Sequence, residues 1–188
     1  SGLPKPGQTV AVMGANGKVG QAAVQIAAMN GANVIAVQRS DTYEAFACTP
    51  VHVINAKDLG PDEIAQNLLR LSNEKGADII FNTVGSAYFE AANKSLAKGG
   101  TQILIATHDR AVPFDIFAFY RGMHTYVGID TLALDCVEST KLLNSLCAGF
   151  ESGKLQPFKV DKVFDLQDAL DAYKLVLGGA KNRVVFRL

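Results

Sequence analysis

The chain has 188 residues, 48% hydrophobic and 19% charged, with eighteen basic side chains balanced by eighteen acidic ones. That length buries a sizeable core, and the charge balance gives no electrostatic case for nucleic acid or an anionic membrane as partner. No apolar run approaches the roughly 20 residues of a membrane span, and the start, SGLPKPGQT, has no secretory hydrophobic region. Cys48, Cys136 and Cys147 lack CxxC or CxxH spacing and read as reduced thiols of a cytoplasmic protein, with neither a disulfide frame nor a metal site.

The predicted elements begin with a short apolar strand, Val10–Met13, stopped by Gly14. Gly14, Gly17 and Gly20 follow at three-residue spacing, and Val19, Ala22, Ala23, Val24, Ile26, Ala27 and Ala28 supply a helical apolar face. A second strand, Asn33–Gln38, completes a βαβ unit. This layout, Gly14, Ala15, Asn16, Gly17, Lys18, Val19 and Gly20 between strand and helix, is that of a dinucleotide site. Glycine permits the turn and the close approach of backbone to pyrophosphate, and the helix N-terminus offers free N–H groups to the anion.

The second strand closes in Arg39-Ser40, with Asp41 after them. NAD sites usually place Asp or Glu there for the ribose 2′-hydroxyl, whereas a guanidinium binds a 2′-phosphate bidentately. Arg39 and Ser40 therefore favour NADP(H), while Asp41 keeps NAD(H) in play and a solvated surface arginine is the plainer alternative.

Further along, Tyr43–Ala47 is expected as a short helix and Val51–Ile54 as a third strand. Pro61 opens a helix striped by Ile64, Leu68, Leu69 and Leu71 up to Lys75-Gly76. Asp78–Val84 reads as a buried strand closed by Gly85, and Ala87–Leu96 as a helix stopped at Lys98-Gly99-Gly100. Gln102–Ala106 is a strand, Phe114–Arg121 a short helix beyond Pro113, and Thr125–Ile129 a strand. A long helix is expected over Leu134–Glu151 with Leu142, Leu143, Leu146 and Phe150 on its apolar face. Strands alternating with helices imply an α/β, doubly wound parallel sheet with helices on both faces, and six strands are counted through Ile129. After a change of character at Ser152–Pro157, Val160–Phe164 and Arg183–Leu188 are extra strand-like pieces around an amphipathic Leu166–Leu177.

Val19, Gly20, Ala23, Gln25 and Ala27, then Gly31-Ala32 before Val34-Ile35-Ala36, resemble the medium-chain dehydrogenase/reductase superfamily, in particular its zinc-independent quinone oxidoreductase (zeta-crystallin-like) branch. Gly76-Ala77-Asp78-Ile79-Ile80-Phe81-Asn82, Val84-Gly85, Leu96, Gly99-Gly100 and the closing VFDLQDALDAYKLVLGGAKNRVVFRL extend the resemblance over essentially the whole chain. It implies a Rossmann NAD(P)-binding domain over 1–155. It also implies a C-terminal extension, 156–188, whose strands in the family return to an N-terminal GroES-like domain. That domain would be missing here, supplied by a longer polypeptide or by another chain; Ser1-Gly2 fits a natural start or a cloning remnant alike. The implied chemistry is hydride transfer from nicotinamide to a small-molecule quinone or α,β-unsaturated carbonyl. The family places Asn82, Thr83, Val84 and Gly85, and Ile105, Ala106 and Thr107, against the cofactor, where the carboxyl ends of strands also put ligands in general. It often pairs its sixth strand across a homodimer, and an exposed strand edge invites such pairing.

Departures from the family pattern are specific. Lys18 replaces the second glycine of the usual Gly-Gly-Val-Gly, setting an ammonium near the phosphate path or in solvent. Tyr43 and Ala56 replace a lysine and a tyrosine that often help bind a 2′-phosphate, which Arg39 would compensate, and Ala106 replaces a glycine beside the nicotinamide. No zinc ligands are visible. His108-Asp109 reads as a loop polar pair, since adjacent residues rarely face one another, and His52 and His124 sit in strand-like contexts. An atypical short-chain reductase is a rival, but none of Tyr43, Tyr88, Tyr120, Tyr126 and Tyr173 is followed four residues later by lysine. The other alternative is a non-catalytic NAD(P)-binding regulatory or dimerisation module.

Overall fold

Alternating apolar runs and amphipathic stretches fold into a parallel sheet whose two first strands in sequence are buried on both sides and whose edge strands are largely exposed. The computed structural model describes residues 3–180 and 183–187, so Ser1, Gly2 and Leu188, the last residue of the expected final strand, lie outside the described residues. Six strands, β1 (Thr9–Met13), β2 (Asn33–Gln38), β3 (Val51–Asn55), β4 (Ala77–Asn82), β5 (Leu96–Leu104) and β6 (Thr125–Gly128), run in the order β3-β2-β1-β4-β5-β6. Every pairing in this sheet is parallel. This is the doubly wound arrangement expected from the alternation, and strand order reverses between β1 and β4, where a crevice opens at the carboxyl ends.

The pleat of β1 and β2 divides the core. Val10, Val12, Val34 and Ala36 face helix α1 (Lys18–Met29) through Val24, Ala27 and Ala28. Ala11, Met13, Ile35 and Val37 face α2 (Pro61–Leu71) and α3 (Ser86–Ser95) through Ile64, Leu68, Ala91 and Ala92. Such two-sided burial explains why these strands are apolar without a break from Val10 to Met13 and from Val34 to Val37. α4 (Ile116–Gly122) precedes β6, and α5 (Cys136–Ser145) and α6 (Cys147–Glu151) follow it. One compact unit ends at Leu155; a second, from Gln156, holds β7 (Val160–Asp165), α7 (Ala169–Leu177) and β8 (Arg183–Arg187), with β7 and β8 paired in parallel.

Five expectations are corrected. Tyr43–Ala47 is not helical: Asn16 Nδ2 donates to Thr42 O, the carbonyl that would accept the first bond of such a helix, and Glu44 N donates to Asn16 Oδ1. β4 stops at Asn82, not Val84, because Asn82 Oδ1 accepts from Val84 N at 3.1 Å and Gly85 N at 2.8 Å and turns the chain out of the ladder. α3 ends at Ser95 and β5 begins at Leu96, so Lys98-Gly99-Gly100 is a bulge within the strand, with the register slipping between Ala77 and Ile79. β5 ends at Leu104, which leaves Ile105–Thr107 in the following loop. The helix over Leu134–Glu151 is two helices broken at Leu146, where Ser145 Oγ donates to Leu142 O at 2.6 Å, and Leu142, Leu143 and Phe150 are exposed.

Candidate functional site

The crevice is built first by the turn from β1 into α1. Gly14 and Ala15 donate their N–H groups to Val37 O at 2.9 and 3.0 Å, which ties the turn to β2. Gly14 holds φ +82, open to glycine and strained for other residues. A Cβ on Gly20 would lie 2.2 Å from Gly14 O and 2.8 Å from Ala15 Cα, so α1 approaches the turn as only glycine allows. Gly17 is the N-cap, no side chain caps the helix and no acidic residue sits in its first turn. The helix N-terminus therefore presents its N–H groups outward, with Lys18 and Val19 exposed beside them.

The loop after β2 forms the second wall. Gln38 is buried, Ser40 half-buried and Arg39 exposed. Asn16 Nδ2 lies 3.2 Å from Gln38 Oε1, 3.0 Å from Ser40 Oγ and 2.7 Å from Thr42 O. Gln38 Nε2 donates to Ser40 O at 2.7 Å, and Gln38 Oε1 accepts from Ser40 N. A cavity of about 490 Å³ is lined here by Gly14, Asn16, Gly17, Arg39, Ser40, Thr83 and Val84, together with Gln38 and Tyr88. Burial raises the Tyr88 hydroxyl above its usual range, and the nearby Arg39 guanidinium acts against that rise. Asp41 is exposed, 3.6 Å from Lys57 Nζ, and does not line this cavity.

The third wall follows β4. Thr83 Oγ1 donates to Met13 O at 2.7 Å, joining β4 to β1 across the reversal point. Asn82, fully buried, holds the turn, and its Nδ2 donates to Gly85 O at 2.9 Å. Thr107 Oγ1 accepts from Ser86 N at 3.2 Å and donates to Asp109 O at 2.7 Å, so the loop after β5 is latched to the start of α3. A second cavity, about 340 Å³, opens between them, lined by Gly85, Ala106 and Thr107 and also by Ser86, Phe89, Leu104, Asp109, Arg110 and Val112.

Ten of the sixteen expected residues line two neighbouring cavities at one end of the sheet. Ala15, Gly20 and Asn82 are buried behind them as framework, and Lys18, Val19 and Ile105 do not line either cavity. Sequence reasoning missed Gln38, Tyr88, Ser86 and Phe89. The signal for Tyr88 and Phe89 was their place in the first turn of the helix that opens at the expected Gly85 turn. Cys48, Cys136 and Cys147 are free and exposed. Among the described residues no group of three or more His, Cys, Asp or Glu could hold a metal, and no helix is long and apolar enough to cross a membrane. The glycine cradle and the uncapped helix fit a dinucleotide, and no step is assigned to a metal.

Residues 19–145 match the family described as zinc-binding dehydrogenase. The highly reducing polyketide synthase lcsB of Purpureocillium lilacinum is 26% identical over 185 residues, covering 93% of this chain and 7% of that protein. The solved JamJ enoyl reductase is 26% identical with a TM-score of 0.74, covering 98% of this chain and 56% of that one. A solved quinone oxidoreductase of Pseudomonas syringae has a TM-score of 0.78 at 20% identity, over 98% of this chain and 58% of that one, a likeness of fold. The chain spans little more than half of these solved relatives and under a tenth of the synthase.

Proposed function

The chain belongs to the zinc-binding dehydrogenase family, and from that premise we propose that it is the NADP(H)-binding half of a zinc-independent reductase of α,β-unsaturated carbonyl compounds. The observation that carries this reading is the pair of cavities at the sheet's carboxyl ends, one floored by the glycine turn and walled by Arg39, the other beside Gly85 and Thr107. α1's N-terminus faces the pyrophosphate, and Arg39 and Ser40 take the adenosine 2′-phosphate. Asp41, paired with Lys57 outside the cavity, is poorly placed for a bare ribose, which supports NADP(H) over NAD(H).

The nicotinamide, when bound, supplies hydride. The chain's own part is to orient it: Thr83, Val84 and Gly85 form one side of its slot, and Ala106 and Thr107 the other, held together by the Thr107–Ser86 bond. An enoyl group is preferred to a quinone as acceptor because the more similar relatives are a reducing polyketide synthase and an enoyl reductase, whereas the quinone oxidoreductase shares fold only. The remainder of the enzyme, a GroES-like domain in cis or trans, covers the substrate side. A second copy docks along β6, an edge strand flanked by exposed Ile116, Phe117, Met123 and Ile129, in a cytoplasmic homodimer.

NADPH oxidation with an enoyl thioester and with a quinone tests this reading. The chain alone is expected to turn over neither efficiently, and the polypeptide carrying the GroES-like domain to reduce the enoyl thioester. Rapid quinone reduction by the isolated chain would overturn it.

A further inference from the structure

The loop that carries Arg39 and Ser40 has no helix or strand of its own from residue 39 to residue 50. A phosphate-binding arginine on such a loop would have to be ordered at each binding event, at a cost in affinity. The structure supplies an anchor. Asn16, half-buried in the glycine turn, sends Nδ2 across to Gln38 Oε1, Ser40 Oγ and Thr42 O at 3.2, 3.0 and 2.7 Å. Its Oδ1 accepts from Glu44 N at 3.3 Å. Asn16 is itself fixed, because its backbone carbonyl accepts from Gln21 Nε2 of α1 at 2.8 Å.

We propose that Asn16 is the positioning residue that sets cofactor discrimination, by locking the loop of Arg39 and Ser40 onto the phosphate-binding turn. The proposal rests on the reading of this cavity as the adenosine end of a nicotinamide dinucleotide site. Two consequences follow from the bonding. Gln38, held by Asn16, closes a hydrogen-bonded ring over Arg39 by taking both the N–H and the C=O of Ser40. Ser40 Oγ accepts from Asn16, so the hydroxyl keeps its own proton for an oxygen of the ligand. Arg39 and Ser40 are thereby presented as ready donors to the group on the adenosine 2′-carbon, phosphate or hydroxyl, and are tied through Asn16 to the turn that faces the pyrophosphate.

The test compares NADPH and NADH binding to the chain carrying Asn16→Ala, Asn16→Asp, Arg39→Ala or Asn16→Ala with Arg39→Ala, beside amide exchange of residues 39–44. Asn16→Asp keeps the size and the Oδ acceptor but sets a carboxylate against three acceptor oxygens. The expected result is faster exchange in 39–44 for both Asn16 variants at unchanged protection of α1, and a preference for NADPH reduced about tenfold. In the Arg39→Ala background, Asn16→Ala is expected to change the remaining preference little. Equal loss of NADPH and NADH affinity, or unchanged exchange in 39–44, would overturn the proposal and leave the NADP(H) reading intact. Should Arg39→Ala leave the preference untouched, it is the reading of Arg39 that fails. The proposal about Asn16 then stands or falls on whether Asn16→Ala, acting through Ser40, still shifts the ratio.

Discussion

Replacing Gly20 by alanine separates the cradle from ordinary helix energetics. In a helix, Ala is favoured over Gly by about 1 kcal/mol, so propensity alone predicts a stabilised protein. The added Cβ, however, would sit 2.2 Å from Gly14 O and 2.8 Å from Ala15 Cα, backbone atoms that cannot rotate away. To restore an ordinary contact of roughly 3.5 Å, α1 and the turn must separate by about 1 Å. Overpacking of this kind typically costs about 1–3 kcal/mol, and two overlaps with backbone atoms put this case in the upper part of that range, about 2–3 kcal/mol, which less the propensity gain leaves a net loss of about 1–2 kcal/mol. The melting temperature should then fall by roughly 2–8 °C. The displaced helix N-terminus should also weaken NADPH binding at least about tenfold. Gly17→Ala is the control: its Cβ would meet only Gly14 O, at 3.2 Å, and its φ of −67° suits any residue. Differential scanning calorimetry and nicotinamide fluorescence titration of both variants provide the assay. A Gly20→Ala protein that melts at or above the parent temperature and binds NADPH unchanged would refute the reasoning.

Other consequences can be measured separately. Asn82→Ala removes the acceptor of Val84 N and Gly85 N and the donor to Gly85 O inside the sheet; urea unfolding should show a loss of about 2–4 kcal/mol, and an unchanged midpoint would contradict it. Burial holds the His124 imidazole below its usual 6.5, and its Nδ1 has no hydrogen-bond partner. Because the unfolded chain then binds a proton more readily, stability is full above pH about 6.5 and falls as the pH drops from there toward the folded-state value. His124→Gln should flatten thermal stability over that window, and a profile identical to the parent would count against the assignment. Tyr88→Phe removes the hydroxyl beside Arg39 from the cavity wall and should weaken NADPH binding severalfold by calorimetry without changing the melting temperature.

Much of this architecture is legible in the sequence because it is written locally. β2 is marked by its apolar run and reproduced residue for residue, and the glycine turn by spacing and by its place between strand and helix. What stayed hidden depends on residues distant in sequence. The coil at Tyr43–Ala47 reflects Asn16, some thirty positions upstream. The bulge at Lys98–Gly100 reflects the register that β4 imposes, where local sequence shows only a helix stop. Gln38 and Tyr88 reach the site through a strand end and a helix turn whose mutual orientation is tertiary. The exposed Leu142 and Leu143 have the apolar pattern of a core helix, a pattern that does not specify which surface covers it.

The central claim, that the turn and the loop after β2 form an NADP(H) site anchored by Arg39, is tested most directly by calorimetric titration of the chain with NADPH and with NADH, each repeated on Arg39→Ala. The account predicts tighter binding of NADPH, with the advantage lost on removing the guanidinium while NADH affinity holds. Binding of neither dinucleotide, or equal affinities that Arg39→Ala leaves in place, would contradict it.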